Sequence, residues 1–109
     1  MPKVFFDLYG FATDDLDFMV EPLELILGIK SVARTSDYIG DHNTFDGENG
    51  ESFDLRTNID GEGELVKPQH KDMGLLLFVS RTQRADQLRE LLTNNFSDIV
   101  FLESKVFQD

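Results

Sequence analysis

A chain of 109 residues has room for one domain, and 40% hydrophobic residues, ten of them Phe, provide for a packed core, which excludes a wholly disordered acidic tail. The absence of cysteine excludes disulfides, thiolate metal sites and a cysteine nucleophile. A net charge of −11 disfavours nucleic acid and anionic membrane as partners and favours a basic one.

In chain order, Lys3 to Tyr9 is apolar on both alternating faces (Val4, Phe6, Leu8 against Phe5, Asp7, Tyr9), the pattern of an interior strand. Asp7 within it reads either as a buried acid or as a strand-end cap. A helix follows, with Thr13 as its expected N-cap and Asp14, Asp15 and Asp17 at the positive end of the helix dipole. Leu16, Met19, Val20, Leu23, Ile26 and Leu27 form one helical stripe that keeps phase across Pro22, predicting one kinked helix that stops at Gly28. Lys30 to Ile39 is a weaker strand. Gly40 to Gly50 reads as a polar loop.

Ser52 to Ile59 alternates cleanly, Phe53, Leu55 and Thr57 on one side and Asp54, Arg56 and Asn58 on the other, as in a half-exposed strand. Asp60 to Lys71 is a loop. Leu75 to Val79 is an unbroken apolar run inside Gly74 to Ser80, a strand buried on both faces. Thr82 to Asn95 is a helix with Ala85, Leu88, Leu91 and Leu92 inward, and Asp98 to Val106 closes the series as a strand. The order β-α-β-β-β-α-β predicts an α+β fold: a ferredoxin-like split β-α-β sandwich with one inserted strand, in which a mainly antiparallel sheet carries two helices on one face. Segments 3–9 and 74–80 should lie side by side at its centre.

Charge is distributed unevenly along this order. From Asp37 to Glu64 there are nine carboxylates against the single cation Arg56, a net −8 of the whole −11. Tyr38, Ile39 and Phe45 lie inside that stretch, either as apolar anchors of a binding surface or as core residues closing the sheet edge. The candidate partner-binding residues are therefore Asp37, Tyr38, Asp41, Phe45, Asp46, Glu48, Glu51, Asp60, Glu62 and Glu64.

Other chemistry is weakly supported. The run from Asp41 to Glu48 has a calcium-loop flavour, but an EF-hand begun at Asp41 would place Phe45 and Asp46 where an oxygen ligand and Gly belong, and Ser52 at the twelfth position. Begun at Asn58, such a loop would end on Gln69. His42 and His70 lack zinc-helix spacing, and neither G-x-S-x-G nor a phosphate-binding Gly-rich motif occurs. No cofactor, metal or catalytic residue is expected, and the chain is not read as an enzyme. A carboxylate as early as the seventh residue argues against a secretory leader, and no apolar run is long enough to span a membrane, so a cytoplasmic protein is expected.

The runs Ser36-Asp37-Tyr38-Ile39-Gly40-Asp41, Asn58-Ile59-Asp60 and Leu75-Leu76-Leu77-Phe78-Val79 before an acidic, leucine-bearing helix resemble small bacterial immunity proteins. Those proteins neutralise toxins of contact-dependent growth inhibition and related polymorphic toxin systems. The resemblance lies in size, acidity and lack of cysteine rather than in a diagnostic motif. It implies a cytoplasmic protein that binds one cognate toxin domain, cationic and possibly a nuclease, and blocks it. A small-molecule-binding regulatory domain of the same ferredoxin-like shape is the alternative.

Overall fold

Two strands that are apolar on both faces sit in the interior of the sheet, as their sequences require. The computed structural model describes residues 3–108. Met1 and Pro2, part of the expectation about a leader, lie outside the described residues. Strand β1 (Lys3–Phe11) leads to helix α1 (Leu16–Leu27), then strands β2 (Ser31–Ser36), β3 (Gly40–Asp46), β4 (Ser52–Thr57) and β5 (Leu75–Thr82), helix α2 (Ala85–Asn95) and strand β6 (Ile99–Gln108). The result is an α+β fold with one six-stranded sheet, ordered β2-β3-β4-β5-β1-β6, whose neighbouring strands all run antiparallel.

β1 and β5 are direct neighbours, Leu8 opposite Phe78 and Tyr9 opposite Leu77, and neither is at an edge. Their alternate residues Tyr9, Phe11, Leu75, Leu77 and Val79 join Phe45, Phe53 and Leu55 from β3 and β4 in one core. Met19 and Leu23 of α1 and Leu88 and Leu92 of α2 pack into that same cluster, so both helices cover one face of the sheet. Each fully buried Leu or Phe in it contributes about 1.5–3 kcal/mol. Tyr9 is buried to its hydroxyl, which burial pushes up to about 12, and its ring meets Phe101 edge-on at 5.3 Å. Leu8, Leu76 and Phe78 point the other way by strand alternation, onto the outer face.

Two expectations need correcting. The segment Gly40 to Gly50 is not all loop: Gly40–Asp46 is a strand hydrogen-bonded on both sides, with Phe45 opposite both Ser31 and Phe53. Its Gly, Asp, His and Asn have low strand propensity, and pairing with two neighbours overrides it. There are consequently six strands rather than five, and β2 with β3 forms the edge remote from β1, so the sheet order differs from the one expected. The helix bounds also shift. Asp15, not Thr13, caps α1, accepting from the Phe18 N–H at 3.1 Å, while Thr13 Oγ1 accepts from Asp15 N–H. α1 runs unbroken through Pro22 and ends at Gly28 in the left-handed conformation (φ 70°). Arg81 and Thr82 belong to β5, and α2 begins only at Ala85. Among the described residues no helix is long and apolar enough to cross a membrane.

Candidate functional site

The acidic stretch is organised by a residue that carries no charge. Asn58, expected on the exposed side of its strand, is 1% exposed. Its side-chain amide donates to the carbonyls of His70 and Met73, both at 3.0 Å, and its side-chain oxygen accepts from Lys67 N–H at 2.9 Å. Its backbone N–H donates to Gly74 O, and its carbonyl accepts from Val66 N–H. One buried side chain therefore closes both ends of the 59–73 excursion and draws residues 66–74 over the sheet, where Met73 abuts Gly10.

Within that excursion Ile59 bridges to Leu65, and Asp60 shapes the tip: one carboxylate oxygen accepts from Glu62 N–H at 2.9 Å and Glu64 N–H at 3.0 Å. This is Asx-type turn chemistry. The tip then meets the β2–β3 turn through the bond from Gly61 N–H to Tyr38 O, at 2.9 Å. A side chain at Gly61 would collide with the Asp37 carbonyl, so the approach requires glycine. The β2–β3 turn is held in its own right by Ile39 N–H on Ser36 Oγ and by Thr35 Oγ1 donating to the Asp41 carboxylate at 2.8 Å.

Two loops distant in sequence thus converge on one corner bearing Asp37, Asp41, Asp60, Glu62 and Glu64. None of these five is in an ion pair among the described residues. Beside them Tyr38 is 69% exposed, Ile59 48% and Leu65 37%. Unpaired carboxylates around exposed apolar side chains suit a cationic protein surface, the charges steering encounter and the apolar groups holding the complex.

The other four candidates are elsewhere. Phe45 is fully buried in the core and presents nothing to a partner. Asp46, Glu48 and Glu51 lie at the opposite end of β3, about 17 Å from Asp41 at the rise of an antiparallel strand. There Glu51 is 3% exposed and structural: it accepts from Thr82 Oγ1 at 2.6 Å and from Arg84 at 3.1 and 2.7 Å. Burial acts to raise the Glu51 carboxyl, but the bonds from Arg84 and Thr82 prevail and hold it below the ordinary range. Glu48 adds a looser contact to Arg84 at 3.4 Å.

The remaining titratable candidates have local partners. Asp7 is 5% exposed and accepts from Ser104 Oγ at 2.6 Å. His70 bonds Glu103 at 2.8 Å, which, with Lys67, holds that carboxylate below its usual range. His42 is buried, its ring nitrogen 3.0 Å from Gly40 O. Among the described residues no three His, Asp or Glu side chains gather as metal ligands.

No family model matches the chain, and no curated protein matches it. Its chemistry must be argued from its own residues. Asn58 and Gly61, which assemble the corner, escaped the sequence reading. The signal that pointed to them was weak: an Asn ending a strand and a Gly inside an acidic loop are ordinary turn residues.

Proposed function

We propose that this protein is a binding module for a cationic protein domain, and that the partner is a cognate toxin which it neutralises, in the manner of the small acidic immunity proteins it resembles. The convergence of Asp37, Asp41, Asp60, Glu62 and Glu64 around exposed Tyr38, Ile59 and Leu65 is the observation that carries this reading. Long-range attraction accelerates encounter in a salt-dependent way, and the apolar trio slows dissociation. The strands β6-β1-β5-β4 with the two helices are read here as a ferredoxin-like core, to which the β2–β3 hairpin adds one wall of the corner.

The test takes a cationic toxin domain, sought among the products of neighbouring genes, and measures association by surface kinetics at low and physiological salt. Reversing Asp37, Asp41, Glu62 and Glu64 together is expected to slow association about tenfold or more, whereas reversing Asp46 and Glu48 changes it far less. Tyr38→Ala is expected to quicken dissociation. Equal effects of the two charge-reversal sets would remove the corner as the interface, and failure to protect cells from that domain would remove the immunity reading.

A further inference from the structure

The outer face of the sheet holds a row of basic side chains that the acidic corner does not account for. Register places Arg34 opposite His42 and His42 opposite Arg56, three adjacent strands in one line. Phe45, Phe53 and Leu55 point to the helices, so these three residues point away from them. At about 4.8 Å per strand the two arginines start roughly 10 Å apart. The chain has 21 acids against ten Lys and Arg, yet no ion pair among the described residues uses Arg34 or Arg56. Arg34 donates to a hydroxyl, Thr44 Oγ1, at 3.0 Å. An oxyanion lying above the sheet between the two arginines would give both a charged partner.

The next row across the sheet is Thr44, Asp54, Phe78 and Leu8. Arg34 and Arg56 of the first row and Thr44, Asp54 and Phe78 of the second line an open groove of about 530 Å³, together with Ser80 and a second carboxylate, Asp46. Phe78 is half-buried and offers a flat apolar floor. Asp54 Oδ1 and Arg56 Nε, both buried, have no hydrogen-bond partner among the described residues. Asp46 and Asp54 both oppose an anion in the groove, and burial raises Asp54 above the ordinary carboxyl range although His42 and Arg56 pull it down.

We propose that this groove binds a small organic anion, its carboxylate, phosphate or sulfonate group held between Arg34 and Arg56 and its apolar body lying on Phe78. Guanidinium groups suit such planar or tetrahedral oxyanions because their N–H donors form charge-assisted, often paired hydrogen bonds. Thr44 and Ser80 supply hydroxyls at the rim. Asp54 tunes the site downward at neutral pH. The proposal does not rest on the acidic corner, which adjoins this row at the Thr35–Asp41 pair and selects the opposite charge.

The test is a titration of the full chain followed by backbone amide shifts, at constant ionic strength, with three probes: phenyl phosphate, inorganic phosphate and benzyl alcohol. Phenyl phosphate is expected to give saturable shifts at residues 34, 42–44, 54–56 and 78. Inorganic phosphate should bind the same residues about tenfold more weakly, and benzyl alcohol should leave them unmoved. Arg34→Gln and Arg56→Gln should each weaken phenyl phosphate about tenfold or more, and Asp54→Asn should tighten it. Unchanged amide shifts in the core strands of each variant certify its fold. The proposal is overturned by an absence of saturation at millimolar probe, by arginine variants that bind like wild type, or by shifts spread over every surface cation. Weakening by Asp54→Asn would equally sink the assigned geometry.

Discussion

Replacing the buried Asn58 with Ala removes three side-chain hydrogen bonds. Each intramolecular hydrogen bond is worth about 0.5–1.5 kcal/mol net, and a buried partner left without one costs its desolvation besides. The Lys67 N–H and the carbonyls of His70 and Met73 would all lose their partner. Those three are part-buried, and some relaxation of the loop will recover a share, so a loss of about 2–4 kcal/mol is expected. Against a domain stability of about 5–15 kcal/mol that is a large fraction, and it lowers Tm by roughly 10–20 °C. Urea unfolding followed by two probes gives the loss, and amide hydrogen exchange locates it. Residues 59–73 should exchange faster than the core strands in Asn58→Ala even where both remain folded. For binding, the carboxylates persist but no longer surround Tyr38, so dissociation of a cationic partner should quicken while salt-steered association changes little. A stability change below about 0.5 kcal/mol, the usual range of an inert surface substitution, would refute the organising role of Asn58.

Glu51→Gln should cost about 2–3 kcal/mol at neutral pH, since it removes a buried carboxylate from Arg84 and Thr82. Glu51 is depressed below its ordinary 4.5 in the folded protein, so its contribution is present above that value and fades as pH falls through the folded pKa. Urea midpoints of wild type and variant should therefore converge as pH falls below 4.5 and through the lowered folded pKa, and a constant gap would count against the pairing. Asp54→Asn should act in the opposite sense. Burial raises Asp54 above its ordinary 3.8, so its charge works against folding at neutral pH; the variant should be slightly more stable there, with the advantage vanishing in acid. Thermal melts at both pH values decide it, and a destabilised Asp54→Asn at neutral pH would contradict the assignment.

Hydrophobic period and turn chemistry alone placed the apolar strands β1 and β5, the stripes of both helices and the stop at Gly28, because those features depend on neighbours a few residues away. Two apolar faces on one strand demand cover on both sides, and that demand puts β1 and β5 inside any sheet this chain can form. The acidity of residues 37–64 was equally plain in the sequence. Its division was not: β3 carries Asp41 and Asp46 to opposite ends, Glu51 turns inward to Arg84, and Phe45 is lost to the core. β3 itself became a strand only through two partners, because the propensities of its Gly, Asp, His and Asn point to a loop. The acidic corner depends on a contact between Tyr38 and Gly61 and on an Asn58 amide reaching residues 12 and 15 positions away. The line of Arg34, His42 and Arg56 exists only once three strands are in register. Long-range pairing and register are properties of the folded sheet, and no local pattern encodes them.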